Sequence, residues 1–313
     1  MSEAITYSTG QQIDWTPTAA VAAGEIVQLP DGRAAYAPTA IDAGVKGAVQ
    51  VSGIVTVLKD ILQVMLKGTK VYWDHSDSTV DVTFGANTRD FYVGVVQEST
   101  TATATTAKVL LNVEPTKTLS LGDGFWSVPV STAGWPHVVG HREGASLIFD
   151  LAAEAQKLDA LSTRGIAVGT DAVVHALICI NENGDDAAFD LNVGLANATH
   201  ATDADSITES LFVHVDGASL NILAESDDGT TEVAATDTTV DAVVGTPFLV
   251  QWDITNLADI QMYIDGVNVL PNSTFKLNVA TGPLKLLAHM EKTANDSPGN
   301  VTVMELFATT FDV

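Results

Sequence analysis

Short runs of alternating apolar and polar residues follow one another along almost the whole chain. In the first third, GEIVQL, KGAVQVSGIVTV, TKVYWD, DVTF, FYVGVVQE and AKVLLNV alternate or are rich in β-branched and aromatic residues, the signature of half-buried strands. Further on, SLIFDL, VVHALICI, AFDLNVGLA, SLFVHVDG, LNILAES, PFLVQWDI, IQMYIDGVNV, LKLLAHM and VTVMELFATTFDV recur at the spacing of a two-sheet sandwich. Turn-forming stretches such as NENGDD, SDDGTT, LPNST and NDSPGN lie between them, and Asp265-Gly266 marks a hairpin. Two segments also match helical spacing. LKDILQVML (58–66) would give one or two turns, and DLAAEAQKLDALS (150–162) would align Leu151, Ala155, Leu158 and Leu161 on one face. The predicted class is all-β.

One repeat stands out near the start. DWTPTAAVAAGEIVQL (14–29) is echoed by YAPTAIDAGVKGAVQV (36–51), each with a Pro-Thr-Ala opening, an Ala/Gly middle and an alternating close. Small side chains let backbones approach closely, so the repeat reads as paired structural phrases.

Charge adds a division. Residues 1–115 carry seven Lys/Arg against twelve Asp/Glu, and residues 116–313 carry seven against twenty-seven. With the Thr/Ala-rich ESTTATATTA and the Pro and Gly around NVEPTKTLSLGDG, this predicts a domain over 1–115, a linker over 116–135 and a second domain over 136–313. The net charge of −25 leaves no cationic groove for nucleic acid and disfavours an anionic membrane. No apolar run approaches the ~20 residues of a membrane span, and MSEAITYSTG has no secretory pattern. Synthesis in a cytoplasm is the expectation. Cys179, the single cysteine, sits in an apolar run and reads as a buried, inert thiol.

Few residues fall in patterns that carry chemistry. His137 and His141 are four apart in HVVGH, but Pro136 and Gly140 argue against a helix that would align them as metal ligands. The acidic segments NENGDD (181–186), DADS (203–206) and ESDDGTTE (225–232) read first as solvated turns, the alternative being a calcium ion held between two loops. ESDDGTTE lacks the carboxylate spacing of a jelly-roll glucanase strand. The expectation is a non-enzyme with no catalytic residue, no cofactor and no resident metal. Trp126 and Trp135 read as sealing residues between domains or subunits rather than as sugar platforms.

The order TPTAAVAAGEIVQL, AIDAGVKGAVQVSGIVTV, KGTKVYWD, FYVGVVQE and AKVLLNV resembles tailed-phage head decoration, or capsid cement, proteins over residues 1–115. The resemblance implies a small β-tulip-like domain that binds the major capsid protein on the outer surface of the virion. It further implies a homotrimer at threefold or quasi-threefold junctions that stabilises the shell, without cofactor or catalysis. The region after it resembles concanavalin/laminin-G-like jelly rolls, carried by DSITESLFVHVDGASLNILAESDDGTTEVAATDTTV and PFLVQWDITNLADIQMYIDGVNV. That fold leaves a glycan partner open, and a lectin-like adhesion module is the competing function. The polar but alternating SEAITYSTGQQIDW is expected to be an arm ordered only on the capsid. Ile5, Tyr7, Ile13 and Trp15 are its expected capsid or inter-subunit contacts.

Overall fold

The computed structural model describes residues 11–85, 87–127, 129–183, 189–217, 219–295 and 298–311. The chain falls into two compact units, Met1–Thr116 and Lys117–Val313. Among the described residues, no helix is long and apolar enough to cross a membrane.

The first unit contains two antiparallel sheets. Strands β1 (Gln12–Trp15), β2 (Ile26–Gln28), β3 (Ala34–Tyr36) and β4 (Gly47–Gln50) form one, in the order β1-β4-β3-β2. The echoed phrases build it. Val21 and Ile41 form a reciprocal bridge, each N–H donating to the other's carbonyl at 2.9 Å. Gly24 N–H donates to Ala37 O at 2.7 Å, and Gly44 N–H donates to Pro17 O at 2.8 Å. The two copies are therefore related by an approximate twofold in which Pro17 corresponds to Ala37. The two prolines are offset by one residue. Gly24 and Gly44 take φ values of 87° and 74°, a region open to glycine at little cost. Behind them pack Val21, Leu29, Ala35, Ala37, Ile41, Val49 and Val51.

The second sheet has the order β5-β9-β8-β6-β7. Its strands are β5 (Ile54–Leu58), β6 (Lys70–Asp74), β7 (Thr79–Asp81), β8 (Phe91–Val96) and β9 (Thr106–Leu111). A parallel bridge from Lys59 to Val80 draws the end of β5 towards β7 and curls the sheet towards a barrel. Asn112, at φ 56°, ties the two sheets. Its Oδ1 accepts from Ala34 N–H at 2.8 Å, and its Nδ2 donates to Ala34 O and Val51 O at 2.9 and 2.8 Å. LKDILQVML forms no helix. Its first residue ends β5, and the rest is a turn and an extended segment held by Lys59, whose Nζ donates to Asp60 O and Gln63 O, both at 2.6 Å.

The second unit is a two-sheet sandwich. One sheet runs β12 (His137–Gly140), β13 (Ala145–Ile148), β24 (Asn300–Thr310), β15 (Ala172–Glu182), β20 (Phe248–Asp253), β21 (Gln261–Ile264), β22 (Val267–Asn268), with β10 (Leu119–Ser120) also on β24. The other runs β11 (Phe125–Trp126), β14 (Glu154–Ile166), β23 (Leu284–Asn295), β16 (Asp190–Ala196), β17 (Glu209–Asp216), β18 (Asn221–Asp228), β19 (Glu232–Asp241). Val174, Ala176, Ile178, Val250, Trp252, Val301 and Val303 from the first sheet share one core with Leu158, Leu191, Val193, Val213, Leu286 and Met290 from the second.

Two sequence expectations change here. The 150–162 segment is not a helix, because Glu154–Ile166 is a strand paired with β23, in unbroken register from Gln156 to Leu161 and with shifts on either side. Its run of seven buried positions from Gln156 to Ser162 hides the period of two, since the outward face of β14 is covered as well as the inward one. Nor is 116–135 a linker. Leu119–Ser120 pairs with β24 and Phe125–Trp126 with β14, so most of that stretch belongs to the sandwich.

Candidate functional site

In the first unit, Ile5 and Tyr7 lie outside the described residues. Gln12–Trp15 is not a free arm: it pairs in register with Gln50 back to Gly47. Ile13 and Trp15 are half-buried and pack against the unit's own core. Trp15 also walls two open surface hollows of about 490 and 370 Å³, one shared with Thr18, Gln28 and Pro30 and the other with Trp73, His75 and Phe91. The apolar surface that stands clear lies on β5. Val55 and Val57 point inward, while Ile54 and Leu58 are each 57% exposed, followed by Ile61 at 56% and Leu62 at 74%. The strand is legible in the sequence, but its outward residues Ile54 and Leu58 are as apolar as its inward ones, so no polar face marks the exposed side.

In the second unit, the outward face of the seven-stranded sheet carries a row of polar side chains. Register places Asp159 (β14), His289 (β23), Asn192 (β16) and His214 (β17) side by side. The inward alternates, Leu158, Met290, Leu191, Val193, Val213 and Val215, are core, so each strand aims its polar residue the other way. The row is nonetheless buried: Asn192 is 0%, His289 1%, Asp159 5%, Glu225 7% and His214 8% exposed. The segment 197–208 covers it. Ala204 and Ile207 pack on Leu161, Phe212 and Leu287, and the Lys157 ammonium donates to His200 O.

Two groups make up the row. His289 Nδ1 lies 2.7 Å from Asp159 Oδ1 and its Nε2 lies 3.3 Å from Glu291 Oε2, while Lys157 Nζ is 2.9 Å from Asp159 Oδ2. His214 centres the second group. Its Nε2 is 3.1 Å from Asp190 Oδ1, and its Nδ1 is 3.6 Å from Asp205 Oδ1 and 3.7 Å from Glu225 Oε2. The Asn192 amide donates to Asp205 Oδ1 at 2.8 Å and to Glu225 Oε1 at 2.9 Å.

Burial and charge compete at these groups. Burial pulls the His289 imidazole down, but Asp159 and Glu291 outweigh it and raise it to about 9. Burial likewise opposes the His214 cation, yet Asp190, Glu225 and Asp205 lift it to about 11. Burial raises Glu225 to about 7, with Asp205 adding to the rise and His214 opposing it. Burial also raises Asp190 against the pull of His214. Asp159 goes the other way: burial would raise it, but His289 and Lys157 hold it below the usual range.

The acidic segments noted in the sequence divide. Asp205 from DADS and Glu225 from ESDDGTTE converge on His214. Asp227 and Asp228 instead accept backbone N–H groups of Gly229, Thr230 and Thr231, as turn caps. Residues 184–186 of NENGDD lie outside the described residues. His137 and His141 do not meet at a shared point: His137 Nδ1 lies 3.1 Å from Trp135 O, and His141 Nε2 lies 2.6 Å from Ser146 Oγ. Cys179 is buried, and burial raises its thiol. Trp126 and Trp135 are 68% and 85% exposed.

Residues 7–111 match the family model described as phage cement protein. No curated protein sequence matches the chain. Among solved structures, the Emp47p carbohydrate recognition domain aligns at a TM-score of 0.42 and 8% identity, over 60% of this chain and 89% of its own. The alginate lyase AlgAT5, of polysaccharide lyase family 7, aligns at 0.39 and 13%, over 58% and 85%. The carbohydrate binding module CBM66 from Bacillus subtilis aligns at 0.35 and 12%, over 58% and 94%. The chain thus joins a segment that matches the phage cement protein family to a two-sheet antiparallel sandwich.

Proposed function

We propose that this protein is a structural component of a phage head, which binds the outer face of the capsid as a homotrimer and stabilises the shell. The observation that carries the reading is the cement-family match over residues 7–111, which coincides with a compact unit of its own. Cement action requires apolar area that becomes buried across a seam rather than a reactive cleft. The Ile54, Leu58, Ile61 and Leu62 surface supplies such area, and Trp15 between its two hollows supplies an aromatic anchor of the kind that dominates interfaces. Three copies acting together would add avidity to a modest single contact. The sandwich would face outward, its acidity limiting association between particles.

The direct test mixes the purified full-length chain with heads that lack decoration protein and measures co-sedimentation and the temperature at which the heads release DNA. Saturable binding at a fixed ratio to the shell protein, with a higher release temperature, is expected. Absence of binding at micromolar concentration would overturn the proposal. Light scattering or native mass spectrometry checks the trimer separately.

A further inference from the structure

The His214 group has a charge problem that its own residues do not solve. One imidazole faces three carboxylates, those of Asp190, Asp205 and Glu225. With all three ionised, two negative charges remain even when the ring is protonated, and burial of the site, where His214 and Glu225 are more than nine-tenths buried, pushes Glu225 and Asp190 towards their neutral forms. Leaving such charge without a counter-ion is costly. The side chain of Asn192 orients two of the carboxylates, but an amide brings no charge.

A second observation concerns geometry. His214 Nδ1 is buried and has no hydrogen-bond partner, and the same is true of Oδ1 on the fully buried Asn192. Nδ1 faces Asp205 and Glu225 at 3.6 and 3.7 Å, too far for a good hydrogen bond. Two donors sharing one tetrahedral ion at ~2.1 Å stand about 3.4 Å apart. One ligand atom each from Asp190, Asp205 and His214 fit within 4.8 Å of one another. Asp190 Oδ1, 3.1 Å from Nε2, is likewise buried without a hydrogen-bond partner.

We propose that the space between His214, Asp190, Asp205 and Glu225 binds one divalent transition-metal ion of the zinc or manganese class, locking segment 197–208 onto the outward face of the sheet. One nitrogen with several carboxylate oxygens suits that class better than calcium, which takes oxygen ligands alone. The site does not suit a sugar, because its polar atoms are covered. Asp205, on a short turn with its side chain 37% exposed, gives an ion a way in. The inference is independent of capsid binding.

The test uses the full-length chain, stripped with chelator and titrated with zinc, manganese or calcium chloride by calorimetry, with metal content and melting temperature measured in parallel. Expected is one zinc or manganese ion per chain and a higher melting temperature for the sandwich. Asp205→Asn and His214→Gln should each weaken binding at least tenfold. Asp205→Asn changes a partly exposed turn residue and removes one of the excess charges, so its metal-free melting temperature should equal or exceed the wild-type value even if His214→Gln folds poorly. Lack of uptake, uptake that survives Asp205→Asn unchanged, or a site that takes calcium and refuses zinc and manganese would each overturn the proposal.

Discussion

The sharpest perturbation of the capsid contact is the double substitution Ile54→Thr, Leu58→Thr on β5. Both side chains point away from the unit's core and are 57% exposed, while their neighbours Val55 and Val57 carry the packing. Threonine retains strand propensity, so folding should hold. Burying a whole Ile or Leu side chain contributes about 1.5–3 kcal/mol. Covering the exposed 57% of two of them is worth about 2–3 kcal/mol, of which threonine would recover a part. A net loss of about 2 kcal/mol raises Kd roughly 30-fold for a single foot, and more where three feet engage together. The assay is a titration of labelled protein onto undecorated heads, with thermal unfolding as the check on folding. Leu151→Thr, exposed at 69% in the sandwich, serves as control and should bind like wild type. A double variant that binds within twofold of wild type would refute the reasoning. Loss of the trimer in place of head binding would refute it too, by moving this surface to the subunit interface.

Other outcomes follow from the same geometry. Asn112→Ala removes the three side-chain hydrogen bonds that join the two sheets of the first unit and should cost about 2–4 kcal/mol in denaturant unfolding; a change under about 0.5 kcal/mol would show that the tie is not structural. His289 is raised from 6.5 to about 9 in the fold, so its contribution is complete below pH 6.5 and lost as pH rises through 9. The difference in unfolding free energy between wild type and His289→Gln should therefore shrink by about 3 kcal/mol across that window, and a flat difference would contradict the ion pair with Asp159. Removing residues 2–10 should leave β1 intact and the unit folded while weakening head binding through Ile5 and Tyr7. Removing 2–14 strips three of the four β1–β4 register pairs and should lower the melting temperature as well. Equal head binding by wild type and the shorter deletion would remove the terminal segment from the contact.

Much of this architecture is legible along the chain because strands with one buried face alternate. β9, with Thr106 and Lys108 exposed and Ala107, Val109 and Leu111 buried, is the clearest case. Where both faces are covered the alternation disappears, and β14 then imitates a helix through Leu151, Ala155, Leu158 and Leu161. The repeat at 14–29 and 36–51 is visible in sequence. Its alignment on Pro-Thr-Ala is not the structural one, because the reciprocal bonds of Gly24 and Gly44 set the correspondence one residue away. The linker expectation failed on two-residue strands, Leu119–Ser120 and Phe125–Trp126, too short to show a period. The ionic group around His214 was the hardest to see. Its members come from β16, β17, β18 and the 203–206 turn, and only antiparallel register makes them neighbours. One signal was present: DLN and VHV place Asp190, Asn192 and His214 in otherwise apolar runs, facing away from the core.

That placement also constrains what the second unit can recognise. A sheet face that binds a polymer must be open to it, with polar and aromatic groups that solvent can reach. Here segment 197–208 closes the outward face of the seven-stranded sheet with Ala204, Ile207 and Asp205, and the polar row beneath is nine-tenths buried or more. Recognition of a glycan or a host surface by the sandwich therefore has to use surface outside this covered row, such as its rim. The exposed indole of Trp126 on the edge strand β11 and that of Trp135 in the turn before β12 are large flat apolar surfaces there, suited to stacking or to a subunit seam. Substituting both by alanine separates the two roles. Loss of trimer at unchanged folding assigns them to the seam, whereas an intact trimer with lost adsorption to a glycan-bearing surface assigns them to recognition.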